Sequence, residues 1–302
     1  MRHPCQALCL CATIHAMRKL SVICTDLKDL QKRYACGADE LLLADREDAY
    51  VLHGMSRSDI LEASKAGIPF SVLFDRLFSE DEIKDAQAFV RKVIESGAET
   101  VWVSDPGILA DAREKGYMNR IVYHPSMLVT NTPDALFWKE QGCASVCVSP
   151  LLTTEEITEI VSSVSGLSLI MHGRLLMSAS ARKLLSAYAE LTEEAQLKNR
   201  SVNLREEKRD GRMPLGESAS AAMIFTDFIQ ESFEEMETFR KKEISRFVVQ
   251  ADEGSEQYAE DTISLYRKLI DGTECGEDIR TYREKYREMP FSKGYYTEKT
   301  IK

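Results

Sequence analysis

The chain has 302 residues, 44% of them hydrophobic, which is enough for one large α/β domain or two small ones. A formal net charge of -10 excludes a generally basic nucleic-acid surface and leaves room only for a local cationic groove. No apolar run approaches the ~20 residues of a membrane-spanning helix, so no membrane association is expected.

Residues 1–16, MRHPCQALCLCATIHA, carry Cys5, Cys9 and Cys11 but lack the long apolar region and cleavage site of a signal peptide. They read as a disordered N-terminal extension, with Met17 as a second candidate start. A short metal-binding tail is the alternative. The other cysteines include Cys24 and Cys147, each inside an apolar run where cysteine behaves as a small hydrophobe. There is no CxxC pair, so no disulfide framework is expected and the predicted location is the reducing cytoplasm.

From Met17 onward the chain follows one grammar. LSVIC (20–24) reads as a first strand. ACGADELLLAD (35–45), KAGIPFSVLFD (65–75), ESGAETVWVSD (95–105) and EQGCASVCVSP (140–150) each close a helix on a glycine and enter a short apolar run. RIVYH (120–124) and LSLIMH (167–172) fit the same pattern. Apolar runs without alternation suit strands covered on both faces, as in a parallel sheet. The intervening helices, such as SEDEIKDAQAFVRKVIES and TTEEITEIVSSV, open on a hydroxyl residue with acids in the first turn.

With SRFVVQ (245–250) as an eighth strand before the helix EQYAEDTISLYRKLID, the pattern predicts an α/β fold, a (β/α)8 TIM-like barrel over residues 17–272. An open doubly wound sheet is the competitor. Residues about 189–243 become an α+β insertion between strands seven and eight, with a turn-rich piece, a strand-like AAMIFTD and a helix-like FIQESFEEMETFRKK. Residues 273–302 read as a charged, loosely packed C-terminal tail.

In such a fold, chemistry gathers where the strands end. The residues there are Thr25, Asp26, Asp45, Arg46, Asp75, Arg76, Ser104, Asp105, His124, Ser126, Ser149, His172, Arg174 and Gln250. An aspartate after a strand also serves as a helix cap. His172 and Arg174 follow a fully apolar strand; the histidine suits acid–base work or a backbone-bonded structural role, and the arginine suits a carboxylate or phosphate. His124, Ser126 and Asn131 share the segment HPSMLVTN. No GxSxG, HExxH, phosphate loop or GxGxxG occurs, and no metal-ligand cluster is expected.

These segments, taken in order, resemble peptidase family U32, the collagenase-like peptidase family. The resemblance rests on GADELLLAD, VSDPGIL (103–109), HPSMLVTNTPDALFWKEQGCASVCVS (124–149), MHGRLLMSASARKLLSAY (171–188), LREEKRDGRMPLGES (204–218) and QYAEDTISLYRKLIDG (257–272). The family label implies peptide hydrolysis. Several members are instead oxygen-independent hydroxylation proteins for tRNA uridine, ribosomal RNA or ubiquinone precursors, with an iron–sulfur cluster on four cysteines. Prephenate is the hydroxyl source linked to the tRNA branch.

Against that pattern Leu176 and Lys183 stand where two cluster cysteines would fall, and no cysteine lies between Cys147 and Cys275. The resemblance therefore implies a chain without the cluster or any other cofactor. Gln250 and Asp252 replace a glutamate and an arginine at the last strand; Ser149, Leu151 and Met127 are further departures. His172, Asp105, Arg182 and Asn131 are retained. Three readings follow. The first is a partner of a longer, cysteine-containing relative in prephenate-dependent tRNA uridine 5-hydroxylation. The second is a peptide hydrolase using His172, Asp105 or His124. The third is a non-catalytic scaffold that binds a small anion through Arg174, Arg182 and Arg76, with Asn131 and Ser126 as further ligand contacts.

Overall fold

The computed structural model describes residues 18–193, 201–207 and 211–299. The N-terminal extension, with Cys5, Cys9 and Cys11, lies outside the described residues. Eight mutually parallel strands form the body of the main sheet: β1 (Lys19–Cys24), β2 (Glu40–Ala44), β3 (Phe70–Leu73), β4 (Val101–Val103), β5 (Ile121–Tyr123), β6 (Ser145–Val146), β7 (Leu167–Gly173) and, after a long excursion, the strand Ile244–Val249. The helices that cover them are α1 (Leu30–Ala35), α2 (Arg57–Ala63), α3 (Ile83–Glu95), α4 (Pro106–Lys115), α5 (Thr132–Glu140) and α6 (Thr154–Ser163). Side chains cap α2, α4, α5 and α6 from Ser56, Asp105, Asn131 and Thr153. Ser56 with Asp59, and Thr153 with Glu156, form reciprocal capping boxes at α2 and α6.

The excursion after β7 contains β8 (Leu176–Ser180), α7 (Leu184–Leu191), β9 (Val202–Arg205), β10 (Arg212–Glu217), β11 (Ala222–Phe225), β12 (Ile229–Glu231) and α8 (Met236–Phe239). It ends on β13, the strand Ile244–Val249, followed by α9 (Glu256–Ile270), α10 (Gly276–Lys285) and β14 (Phe291–Ser292). The main sheet runs β14-β12-β7-β13-β1-β2-β3-β4-β5-β6, and β8-β11-β10-β9 form a second, antiparallel sheet. The chain is thus an α/β protein with a curled parallel sheet. One parallel bridge, Cys147 to Ser168, with the Val148 amide donating to the Ser168 carbonyl at 3.0 Å, brings the β6 edge back to β7. Higher on β7 that place is taken by β12, which pairs antiparallel through Gln230–Gly173 and Glu231–His172.

Three corrections follow. The excursion begins directly after Gly173 rather than near residue 189, and FIQES forms a strand rather than a helix. Above Ser168 the edge of β7 has no β6 beside it, and its backbone groups take β12 as their partner. The C-terminal segment is not loosely packed. Its β14 pairs with β12, and Tyr282 and Tyr296 are buried.

Alternation along the strands stacks the interior in layers. The middle layer is apolar: Ile23, Leu42, Leu73, Trp102, Val122, Cys147, Val248 and the partly buried Ile170. Below it Ser21, Glu40, Ser71, Thr100, Ser145, Ser168 and Arg246 form a buried polar floor. Glu40 accepts from Arg246 Nε at 2.7 Å, Ser21 Oγ at 2.5 Å and Ser71 Oγ at 3.2 Å. Burial opposes ionisation of this fully enclosed carboxyl, but Arg246, Ser21 and Lys19 together carry it below the usual carboxylate range.

Glu40→Leu, which strands the Arg246 charge, is expected to cost about 3–5 kcal/mol in urea unfolding. The double variant Glu40→Leu/Arg246→Met is expected to recover most of that loss.

Candidate functional site

The same alternation sends a third layer to the mouth of the curled sheet: Asp75 after β3, Ser104 after β4, His124 after β5, Ser149 after β6 and Gln250 after β13. Between that layer and the small sheet lies a cavity of about 60 Å³. Ile23, Leu73, Ile170 and Phe225 form apolar walls, and Asp75, His124, Ser126, Arg174 and Gln250 supply polar groups. The small sheet is held over the mouth by Ala221, Met223 and Phe225, which pack with Tyr50, Leu52 and Leu176.

Asp75 and His124 form the centre of this arrangement. Asp75 Oδ2 lies 3.5 Å from His124 Nε2, and Asp75 Oδ1 accepts from the Tyr50 amide at 2.9 Å. Burial pushes the Asp75 carboxyl up to about 7 and the His124 imidazole down to about 4. Burial thus disfavours the charged form of both groups. His124 Nδ1 has no hydrogen-bond partner among the described residues, and its ring meets the Trp102 edge at a centroid distance of 5.6 Å. Ser126 follows Pro125 with φ of 56°, a left-handed conformation that side-chain-bearing residues seldom adopt.

His172 stands elsewhere. Alternation from Ile170 would aim it at the mouth, but the pairing of β7 with β13 shifts between Val248 and Val249, and this bulge turns the imidazole outward. It is fully buried among Phe233, Tyr258, Tyr266 and Phe291, with Nε2 2.7 Å from the Tyr258 hydroxyl. Burial alone holds it down at about 3. Gly173, with φ of 124°, is required next: a Cβ there would lie 2.8 Å from Gln250 Cβ and 3.1 Å from its carbonyl oxygen. The His-Gly pair thus positions the end of β7 against that of β13 and leaves the imidazole off the mouth.

The other expected site residues are dispersed. Asp105 caps α4, its Oδ1 accepting from Gly107 at 2.7 Å and Ile108 at 3.2 Å. Asn131 caps α5 by accepting from Asp134. Arg76 is held by Asp48 and Glu82 and lies over the Phe78 ring. Arg174 lines the cavity, but Glu253 at 2.8 Å and the Thr226 carbonyl at 2.7 Å engage its guanidinium. Arg182 is exposed just before α7. The three arginines expected to clamp an anion do not converge. Asp75, one of the strand-end residues read from the sequence, is the partner of His124, and the polar group ending the apolar run FSVLF is its signal.

A hydrolase needs a nucleophile bonded to its base. Among the described residues His124 faces Asp75, His172 faces Tyr258 and Tyr266, and neither bonds to a serine or cysteine. Among the described residues the donor set for a four-thiolate cluster does not fit either. Leu176 borders the cavity, and Lys183 borders a wider cleft of about 1230 Å³ on the β1–β2 side. The described cysteines, at 24, 36, 143, 147 and 275, are spread over separate elements. Among the described residues no group of three or more His, Cys, Asp or Glu is placed to hold a metal, and no helix is long and apolar enough to cross a membrane.

Residues 54–302 match the model of peptidase family U32, and the chain belongs to that family. It is 23% identical over 278 residues to tRNA hydroxylation protein P2 of Bacillus subtilis (strain 168), covering 88% of this chain and 89% of that protein. It is 29% identical over 174 residues to tRNA hydroxylation protein P of Escherichia coli (strain K12), covering 54% of this chain but only 38% of that longer one. Among solved structures, the U32 peptidase Mk0906 superposes with a TM-score of 0.49 at 14% identity, over 79% of this chain and 94% of that one.

An unfolded histidine takes up a proton below about 6.5, whereas His172 in the fold resists protonation until about 3. Between those values the proton favours the unfolded chain, so this group lowers stability as pH falls. His172→Phe is expected to lose about 1 kcal/mol at pH 7.5 with the Tyr258 bond. That deficit should shrink on acidification through pH 5, as read by denaturation midpoints.

Proposed function

We propose that this chain is a diverged U32 member that acts in tRNA hydroxylation. In this reading it holds no iron–sulfur cluster and assists a longer, cysteine-bearing relative in prephenate-dependent 5-hydroxylation of tRNA uridine. The observation that carries the proposal is the match to tRNA hydroxylation protein P2 along nearly the whole of both chains. The donor set supports the cluster-less part, since a leucine and a lysine offer no soft thiolate to iron. The prephenate chemistry belongs to the partner in this account; here the arginines are engaged in the fold or left apart.

The curled sheet is read as a (β/α)8 barrel of the TIM type, joined at its floor by the Cys147–Ser168 bridge, with the residues between β7 and β13 as its insertion. The peptide-hydrolase reading follows the family description but has no paired nucleophile among the described residues. The anion-binding scaffold was read onto Arg174, Arg182 and Arg76, and these three do not converge.

Deletion of the gene is expected to abolish or sharply reduce 5-hydroxyuridine-derived modification, measured by mass spectrometry of digested tRNA, with the cysteine-bearing relative left in place. The tagged chain is expected to co-purify with that relative. Unchanged modification would overturn the proposal.

A further inference from the structure

The helix that follows the His-Gly strand carries more apolar surface than the fold itself uses. α7 reads LLSAYAEL. Leu185 and Ala189 face inward and are buried, and the Leu185 and Ser186 amides donate to the Glu217 carboxylate of β10. Leu184, Ala187, Tyr188 and Leu191, spaced i, i+3, i+4 and i+7, share a second face that points to solvent. Leu184 is 45% exposed, Tyr188 52% and Leu191 85%, the last being the most exposed large apolar side chain among the described residues. Single apolar residues are ordinary on a surface, but three along one face of one helix make a patch. A helix that is apolar on both faces is normally covered on both.

The charges at the ends of the patch indicate what covers it. Arg182 and Lys183 stand at its N-terminal end and Glu193 at its C-terminal end, all exposed. The helix dipole favours the opposite order, acids first and bases last. α7 has no acid in its first turn and no base in its last, and it takes the Glu217 carboxylate from β10 instead. Among the described residues the Arg182, Lys183 and Glu193 side chains have no ion-pair or hydrogen-bond partner. A face that runs basic, apolar, acidic is complementary to itself turned end for end. In an antiparallel pair of α7 helices with the two-fold axis between Ala187 and Tyr188, Leu184 faces Leu191 of the second copy. Ala187 then faces Tyr188, and Arg182 faces Glu193. The small Ala187 leaves room for the opposing ring where the axes come within about 8–10 Å.

We propose that the outer face of α7 docks a second copy of this chain through an isologous, antiparallel helix pair. Leu184, Tyr188 and Leu191 form its centre, and Arg182 and Glu193 form its rim. Three partly exposed side chains offer less than the roughly 800 Å² per partner of a standard stable interface, so the dimer is weak and forms with rising concentration. The rim pairs stay in solvent and add little affinity; they set the orientation, because a parallel pair would bring like charges together. Lys183 also borders the wide cleft on the β1–β2 side, so docking brings the rims of two such clefts to one interface. The inference is independent of the tRNA reading, since the pair forms whether or not a cysteine-bearing relative binds elsewhere on the chain.

The test is sedimentation velocity of the full chain over a wide range of concentration, where a monomer–dimer equilibrium is expected. Tyr188→Gln, at an exposed position, is expected to weaken the dimer about tenfold or more, with circular dichroism to confirm the fold. Arg182→Glu and Glu193→Arg each set like charges opposite one another and are each expected to weaken self-association. Mixed together, these two single variants are expected to pair with one another more readily than either pairs with itself. The double variant Arg182→Glu/Glu193→Arg is expected to regain the original dimer. A chain that stays monomeric at every concentration would overturn the proposal, and so would a dimer that ignores Tyr188→Gln. A dimer that yields to Tyr188→Gln but shows no response to the exchanged charges would overturn the antiparallel pairing. Loss of the cysteine-bearing relative from Tyr188→Gln pulldowns, with the chain itself monomeric, would assign the face to that relative and overturn the self-docking.

Discussion

The interior of the curled sheet is organised by one buried ion pair. Glu40 and Arg246 meet on strands β2 and β13, on either side of β1, and Ser21 of β1 donates to the same carboxylate. Three adjacent strands are thereby pinned in register at the floor, with Ser71 and Thr100 continuing the polar layer onto β3 and the start of β4. A buried pair of this kind adds little net stability over an apolar replacement; its contribution is to exclude registers that would leave a charge unmatched. Because side chains alternate, setting the floor also sets the apolar layer above it and the polar mouth above that. The approach of Asp75 to His124 follows from a contact two layers below.

Much of this was legible in the sequence. The glycine-then-apolar grammar located four of the eight parallel strands and unalternating apolar runs the other four, because a strand buried on both faces must be apolar throughout. Ser56 and Thr153 cap their helices as the sequence pattern requires, and Asp105 and Asn131 do the same at α4 and α5. What was not legible depends on pairing partners far along the chain. FIQES reads as the start of an amphipathic helix until β7 offers it an open edge. The direction of His172 depends on a bulge that no local pattern announces. The tyrosines of the last segment look like surface residues of a charged tail, yet they fill the aromatic layer around His172.

The family signature therefore divides into two functions in this chain. Its His-Gly part is architectural: the imidazole anchors the helical layer, and the glycine lets the ends of β7 and β13 touch. Its later part, where cluster thiolates are expected, supplies Leu176 to the wall of one cavity and Lys183 to the rim of a wider cleft. The retained histidine is not evidence of retained chemistry. The groups with perturbed protonation that reach the mouth, Asp75 and His124, come from strands three and five.

The placement of β12 on the upper half of β7 also bears on how the molecule assembles. β14 pairs with β12, and the Tyr296 hydroxyl lies 2.8 Å from Ser232 Oγ and accepts from Gln230 at 3.1 Å, so residues at the far end of the chain complete the wall behind β7. Such contacts join positions 64 to 66 residues apart, and the β13–β1 pairing joins the last parallel strand to the first. Contacts of long sequence separation form late, because a large loop must close before they contribute. During synthesis the first six strands can associate as they emerge, while the wall behind β7 stays unfinished until residues 291–296 dock.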